Sequence, residues 1–324
     1  MYVLNMRNTC YKQVVKPVRR ERFRNPLDFI KGARMETLSL KAYAKINLTL
    51  DVTGKRANGY HDVCMVMQQI DLHDTVTLKK KEDGISLESD SSFLPTDNTN
   101  IAWKAASAVA KHVNKNLGVH ITINKKIPVA AGLAGGSTDA AAVIRGMNIL
   151  YNLQLSLEEM MEIGVTIGAD VPFCIMGGTA LAEGIGEELS PIETGKPLWM
   201  VLSKPSVGVS TKKIYEALDV NKIEDHPETR SMISAVKSGD ISEISVLLGN
   251  VLEPVTLSLY PSVGVLKSKM KEYGACGVLM SGSGPSVFGL FKTYEKACTA
   301  AKRLKRSYKQ TFVTKTINGG QDNE

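Results

Sequence analysis

Hydrophobic and polar positions alternate from Lys41 onward: Ala42, Ala44, Ile46, Leu48, Leu50 and Val52 share one register, and Lys41, Tyr43, Lys45, Asn47, Thr49 and Asp51 the other. A period of two predicts a half-buried strand. Lys45 and Asn47 then project side by side, either from a solvated face or into a site. Val63 to Leu78 reads as one or two strands, and Lys79 to Pro95, with Asp83-Gly84, as a hairpin and loop. Helical spacing returns over Asn100–Asn116 (Ile101, Ala105, Ala108, Val109, Val113). Val119, Ile121 and Ile123 alternate as a strand, and a helix is predicted from the following glycines to about Tyr151. Ser156-Leu-Glu-Glu159 is a capping box that opens a helix stopped at Gly168. A strand is expected after Asp170, and another over Met176–Ala182. A break near Ser190–Lys196 precedes a strand at Leu198–Ser203 and helices at about Thr211–Leu218, Arg230–Lys237 and Ile241–Leu248. A further helix runs from Pro261 to Gly274. Strands at Gly277–Met280 and Val287–Phe291, a helix over Tyr294–Ser307 and a strand at Phe312–Ile317 complete the pattern. Helices on one face of a mixed sheet suit an α+β architecture.

Between the strand ending near Ile123 and the Ala-rich helix lie Pro128, Val129, Ala130, Ala131, Gly132, Leu133, Ala134, Gly135, Gly136, Ser137 and Thr138. A strand, a glycine loop and a helix N-terminus in that order make an anion site. The first helical amides lack internal partners and the macrodipole is positive there. Glycines let the backbone curl around a phosphate. Ser137 or Thr138 can cap the helix. No Lys follows Gly136, which excludes a P-loop, and Gly-x-x-Gly-Gly spacing excludes a Rossmann turn. On its own the loop is equally a turn joining two elements.

Two other stretches have the residue types of a site. Asn58-Gly59 is a turn signal followed at once by Tyr60 and His61. This is either a hairpin with a packed tyrosine or a binding loop, in which Tyr stacks a planar ring and His bonds its edge. Asp170, between a helix stop and an apolar stretch, is a turn residue or a functional carboxylate.

Charge and composition narrow the classes. The formal net charge is +7, and residues 1–34 carry all of it, with nine Lys or Arg against Glu21 and Asp28. The rest is balanced, so the basicity belongs to the leader and the folded body is neutral. The leader lacks an apolar segment of the secretory kind and lacks the Ser of a transit peptide. Met35 is expected to be the natural start, because a patterned strand begins there at once. No stretch approaches about 20 apolar residues, so no membrane span is expected. The 5 cysteines form no Cys-x-x-Cys and no Cys/His cluster, which points to the reducing cytoplasm.

Three motifs in order resemble the GHMP kinases (galactose, homoserine, mevalonate and phosphomevalonate kinases). They are the Lys-bearing strand, the Pro-x-x-x-Gly-Leu-x-x-Gly loop, and Ser281-Gly282-Ser283-Gly284. The likeness runs from about Met35 to Asn318. Ala44-Lys45-Ile46-Asn47-Leu48, Gly59-Tyr60-His61 after the Arg56 turn, and Gly168-Ala169-Asp170-Val171-Pro172 are similar to one branch most of all. Its members act on a cytidine-diphosphate-linked methylerythritol in the non-mevalonate isoprenoid route.

The resemblance implies a two-domain GHMP kinase fold. Residues 35–190 would form a ribosomal-S5-domain-2-like, ATP-binding domain and 191–318 a ferredoxin-like one, with the leader 1–34 and tail 319–324 outside. It implies ATP and Mg²⁺, and transfer of the γ-phosphoryl to the substrate's 2-hydroxyl. Asp170 would be the catalytic acid/base and Lys45 its partner. Residues Pro128 to Thr138 would hold the ATP phosphates, and Asn47, Tyr60, His61 and Tyr215 the substrate. A small-molecule substrate is expected, with no membrane or nucleic-acid partner; a homodimer stays open, as do the metal ligands. The loop departs from the common Ser-Ser pattern in having Gly136-Ser137-Thr138-Asp139, and Asp139 either faces away or helps hold Mg²⁺. Other readings are a homoserine- or mevalonate-type kinase and a non-catalytic, ligand-sensing homologue.

Overall fold

The computed structural model describes residues 35–318; the expectations for the leader 1–34 and the tail 319–324 lie outside them. The chain begins with two long antiparallel strands, β1 (Thr37–Lys55) and β2 (His61–Lys81). Next come β3 (Ile85–Ser89), α1 (Ile101–His112), β4 (Gly118–Asn124), α2 (Gly135–Leu150), α3 (Leu157–Val165), α4 (Val171–Met176), β5 (Thr179–Glu183) and β6 (Glu188–Pro191). The remainder holds β7 (Trp199–Lys204), α5 (Thr211–Ala217), α6 (Thr229–Ser238), α7 (Ile241–Leu247), β8 (Gly249–Asn250), α8 (Glu253–Leu259), α9 (Pro261–Glu272), β9 (Gly277–Met280), β10 (Val287–Phe291), α10 (Tyr294–Leu304) and β11 (Gln310–Lys315).

The first sheet runs β3-β4-β2-β1-β8, with β5 on β2 and β6 on β5. The second runs β11-β7-β10-β9, antiparallel throughout. In chain order its strands lie fourth, first, third, second, which is the ferredoxin-like arrangement. The fold is α+β, as the resemblance implies.

β1 corrects the simple alternation. Its register slips between Tyr43 and Lys45 and again between Asn47 and Thr49. A bulge adds a residue and turns the following side chains to the other face. Ala42, Leu50 and Val52 therefore join one core cluster, whereas Ala44, Ile46 and Leu48 join the second. That second cluster lies between the sheets and includes Ile127, Ala131 and Leu133 of the glycine loop with Met200, Leu202, Phe288 and Leu290. Both faces of β1 are covered: Lys45 is only 5 % exposed and Asn47 is fully buried.

Three more expectations change. The segment after Lys79 forms no hairpin; β3 pairs in parallel with β4. The strand expected after Asp170 is the short helix α4, with Asp170 in its N-cap position. Neither Ser137 nor Thr138 caps α2. The cap residue is Ala134, at φ 55°, and the Thr138 hydroxyl donates instead to the Gly135 carbonyl at 2.9 Å. The capping box of Ser156 and Glu159 is formed as read.

The loop's conformation requires Gly132. Its φ is +72°, and a Cβ there would stand 2.2 Å from the Ser281 carbonyl oxygen. The Ser281 hydroxyl donates to the Gly132 carbonyl at 2.9 Å, so the two glycine loops rest on each other. Gly132→Ala should cost at least about 2 kcal/mol in chemical denaturation, from left-handed backbone and a clash with fixed main chain. Gly59→Ala is the control, because Gly59 has φ +87° with open space around it; equal losses in both would discount the clash.

Candidate active site

Lys45, Asn47 and Asp170 come together although they are far apart in sequence. The bulge between Tyr43 and Lys45 turns Lys45 and Asn47 toward the helices. There the Lys45 ammonium donates to Asn47 Oδ1 at 3.0 Å and stands 3.6 Å from Asp170 Oδ2. Asn47 donates from Nδ2 to the Met65 sulfur at 3.3 Å, which fixes its amide with the oxygen toward Lys45. Asp170 keeps 34 % of its side chain exposed. A buried cation beside a half-open carboxylate holds that carboxylate in one orientation while leaving an oxygen reachable. The Lys45 amide also donates to the Leu133 carbonyl at 3.2 Å, so the same strand residue anchors the glycine loop through its backbone.

The loop itself enters α2 through glycines with small clearances. A Cβ on Gly136 would meet the Ile101 side chain at 3.0 Å, and one on Gly135 the Ile127 side chain at 3.1 Å. Ala130 and Ala134 also adopt positive φ, 50° and 55°. Each adjoins a buried residue of the loop, Ala131 after Ala130 and Leu133 before Ala134. A cavity of about 730 Å³ adjoins the loop entrance, lined among others by Phe93, Lys126, Pro128, Val129, Lys204 and Val207.

On the opposite flank, the turn before β2 is set by its own residues. Arg56 forms a two-nitrogen fork on Asp62 Oδ1 at 2.7 and 2.6 Å, and the Tyr60 amide donates to Asn58 Oδ1 at 3.1 Å. The ring pair that results is His61 with Tyr215, centroids 5.1 Å apart and tilted by 43°. Tyr60 stands 58 % exposed, with its face open to solvent. His61 Nε2 is buried without a hydrogen-bond partner among the described residues. Burial, helped by the Lys55 charge, holds its imidazole below the usual value, which favours the neutral ring that can accept or donate one bond. Burial and then the Asp170 charge push the Tyr215 phenol up, so the ring pair lies within the field of the carboxylate.

Asp139 does not face solvent. Its Oδ2 accepts from the Lys125 ammonium at 2.8 Å, and Lys125 also pairs with Asp74. Asp74, fully buried on β2, accepts from the backbone amides of Lys126 and Ile127 at 2.5 and 2.8 Å. The sequence reading missed Asp74 and Lys125. A signal existed: Asp74 falls in the inward register of Leu72, Val76 and Leu78, and an inward carboxylate demands a partner.

Among the described residues no group of three or more His, Cys, Asp or Glu could hold a metal ion.

Comparison with known proteins places the chain in a family. The N-terminal domain of the GHMP kinases matches residues 100–178, and their C-terminal domain residues 232–310. The chain is 52 % identical to the 4-diphosphocytidyl-2-C-methyl-D-erythritol kinase of Alkaliphilus oremlandii, over 89 % of this chain and 99 % of that one. It is 50 % identical to the enzyme of that name from Acetivibrio thermocellus, over 87 % of this chain and 100 % of that one. A crystal structure of 4-(cytidine 5'-diphospho)-2C-methyl-D-erythritol kinase superposes with a TM-score of 0.76 at 30 % identity, covering 87 % of this chain and 100 % of that one. Homoserine kinase from Cytophaga hutchinsonii shares the fold at a TM-score of 0.72 and 19 % identity. The chain belongs to the GHMP kinases, and within them to the family of the 4-diphosphocytidyl-2-C-methyl-D-erythritol kinases.

Proposed function

We propose that this chain transfers the γ-phosphoryl group of ATP to the 2-hydroxyl of 4-diphosphocytidyl-2-C-methyl-D-erythritol, a step in the supply of isoprenoid precursors. The observation that carries the reading is the Lys45–Asp170 pair, with the His61–Tyr215 rings on one side and the α2 glycine loop tied to Lys45 on the other. In this reading the nucleotide enters as Mg·ATP. Pro128 to Thr138 and the N-terminal amides of α2 hold its phosphates, and the adjoining cavity takes the nucleoside. Residues 35–190 then supply the nucleotide side, while 191–318 contribute Tyr215 and the loop behind Gly132.

The chemistry follows from the acceptor. A tertiary alcohol is a poor nucleophile near neutral pH, so a carboxylate within hydrogen-bond reach must take its proton. Asp170 does this as the alcohol oxygen bonds to the γ-phosphorus and the bond to the β-bridging oxygen breaks, releasing ADP. Lys45 orients Asp170 and offsets the charge that accumulates on the transferring group. Tyr60 and Tyr215 present ring faces to cytosine, His61 Nε2 meets its polar edge, and Asn47 lies on the substrate side. The enzyme works in the reducing cytoplasm, which agrees with free thiols at Cys174, Cys276 and Cys298; no described helix is long and apolar enough to cross a membrane.

His61→Ala tests the acceptor side. It should raise KM for the cytidyl substrate on the order of tenfold, the value of one buried hydrogen bond to a polar edge. KM for ATP should stay within about twofold of wild type, since no ATP contact is lost. A change in KM for ATP alone would move His61 out of the acceptor site.

A further inference from the structure

We propose that Asp74, Lys125 and Asp139 are positioning residues for ATP: a buried ion triad that braces the glycine loop from behind and sets the charge beneath its phosphate site. The inference rests on the reading that residues 128–138 hold the phosphates.

Geometry carries it. The Lys125 ammonium would lie 3.4 Å from a Cβ on Gly135, the first residue of α2. It therefore sits against the first residue of α2, whose amides hold the phosphates in the proposed reading. Asp74 grips the two consecutive amides of Lys126 and Ile127 and holds the same ammonium. Asp139 closes the triad from α2 itself. One group thus joins β2, the loop entrance and the helix start, and all three side chains are at most 7 % exposed. A rigid neighbour of this kind spares the loop ordering cost on binding.

The charge count makes the brace more than a strut. Two carboxylates and one ammonium sum to one negative charge, which opposes a triphosphate; one proton makes the triad neutral. Asp139 Oδ1 is buried with no partner among the described residues, the place where a proton relieves most. Burial, opposed by Lys125 and reinforced by Asp74, pushes the Asp139 carboxyl up to about 8. Burial pulls the Lys125 ammonium down, but its two carboxylates outweigh that and hold it above its usual value.

The groups facing Asp139 are few. Lys125 comes from the loop entrance and Asp74 from β2. From α4 comes the Cys174 thiol, which burial and the Asp170 charge keep neutral. Lys45 of β1 is turned to Asn47 and Asp170. α1 presents the apolar Ile101 to Gly136, and α3 meets the far end of α2 at Asn148, through Met160.

A proton held more tightly in the folded state than in the unfolded one stabilises the fold at low pH. That stability is lost as pH rises through about 8. The same proton loss should weaken ATP binding by adding a negative charge under the phosphates.

The test uses the full chain and ATP alone, by calorimetry, with melting curves alongside. From about pH 7.5 to about pH 9.5, wild-type affinity for ATP should fall on the order of fivefold, and Asp139→Asn should change less than about twofold. The wild-type melting temperature should fall over the same range and that of the variant should not. A wild-type affinity flat with pH overturns the inference and needs no variant to do so. So does an Asp139→Asn protein that keeps the wild-type fall, or a pH effect confined to melting. Gly136→Glu separates the underlying reading: it should abolish ATP binding, whereas unchanged binding would remove the phosphates from this loop and the triad's role with them.

Discussion

Asp170→Ala should lower kcat at least about a hundredfold, the lower end for loss of a general base. The protein should remain folded, because the Asp170 side chain makes no capping bond to α4 and is a third exposed. KM for ATP should change little, since nothing in the glycine loop leans on the carboxylate. Steady-state kinetics with both substrates varied, together with a melting curve, check this. The effect should sit in kcat because the proton leaves the alcohol only as the phosphoryl group transfers. Near-normal turnover would remove Asp170 from the chemistry.

Lys45→Met should cost about as much, a hundredfold or more in kcat/KM, comparable to removal of one preorganised electrostatic donor. The methionine fills nearly the same volume, so the effect reports charge and not a cavity. Asn47 keeps its contact to Met65, and the backbone bond from residue 45 to Leu133 persists. The glycine loop should therefore keep its shape, and ATP binding measured without acceptor should stay within about tenfold of wild type. Unchanged turnover would make Lys45 a structural charge that merely pairs with Asp170.

These two residues also show how far the sequence carried. The glycine loop, the Lys-x-Asn strand, Gly-Tyr-His and Asp170 were singled out through the likeness to the GHMP kinases; taken one by one, each also read as a turn or a solvated face. The α+β class was legible from the change of hydrophobic period. What was hidden depends on long-range register. Lys45 on an alternating strand reads, by that pattern alone, as a solvated lysine before it reads as a site residue. A bulge just before it, invisible in the residue pattern, turns it inward against a helix more than a hundred residues later. The apolar residues after Asp170 suggested a strand, yet Pro172 in the first turn and the close packing of Gly164 against Val171 and Ile175 favour a helix there. His61, not the adjacent Tyr60, is the ring beside Tyr215, because Tyr60 precedes β2 and stays exposed while His61 is its first, inward residue. Asp74 and Lys125 lie 51 positions apart, and no local motif joins them.

The central claim is that the alcohol of the cytidyl substrate receives the phosphoryl group. The most direct measurement is ADP formation by the wild-type chain with Mg·ATP and, separately, 4-diphosphocytidyl-2-C-methyl-D-erythritol, mevalonate and homoserine. Rapid turnover is expected with the cytidyl substrate and background rates with the other two. Turnover of mevalonate or homoserine, with none of the cytidyl substrate, would contradict it.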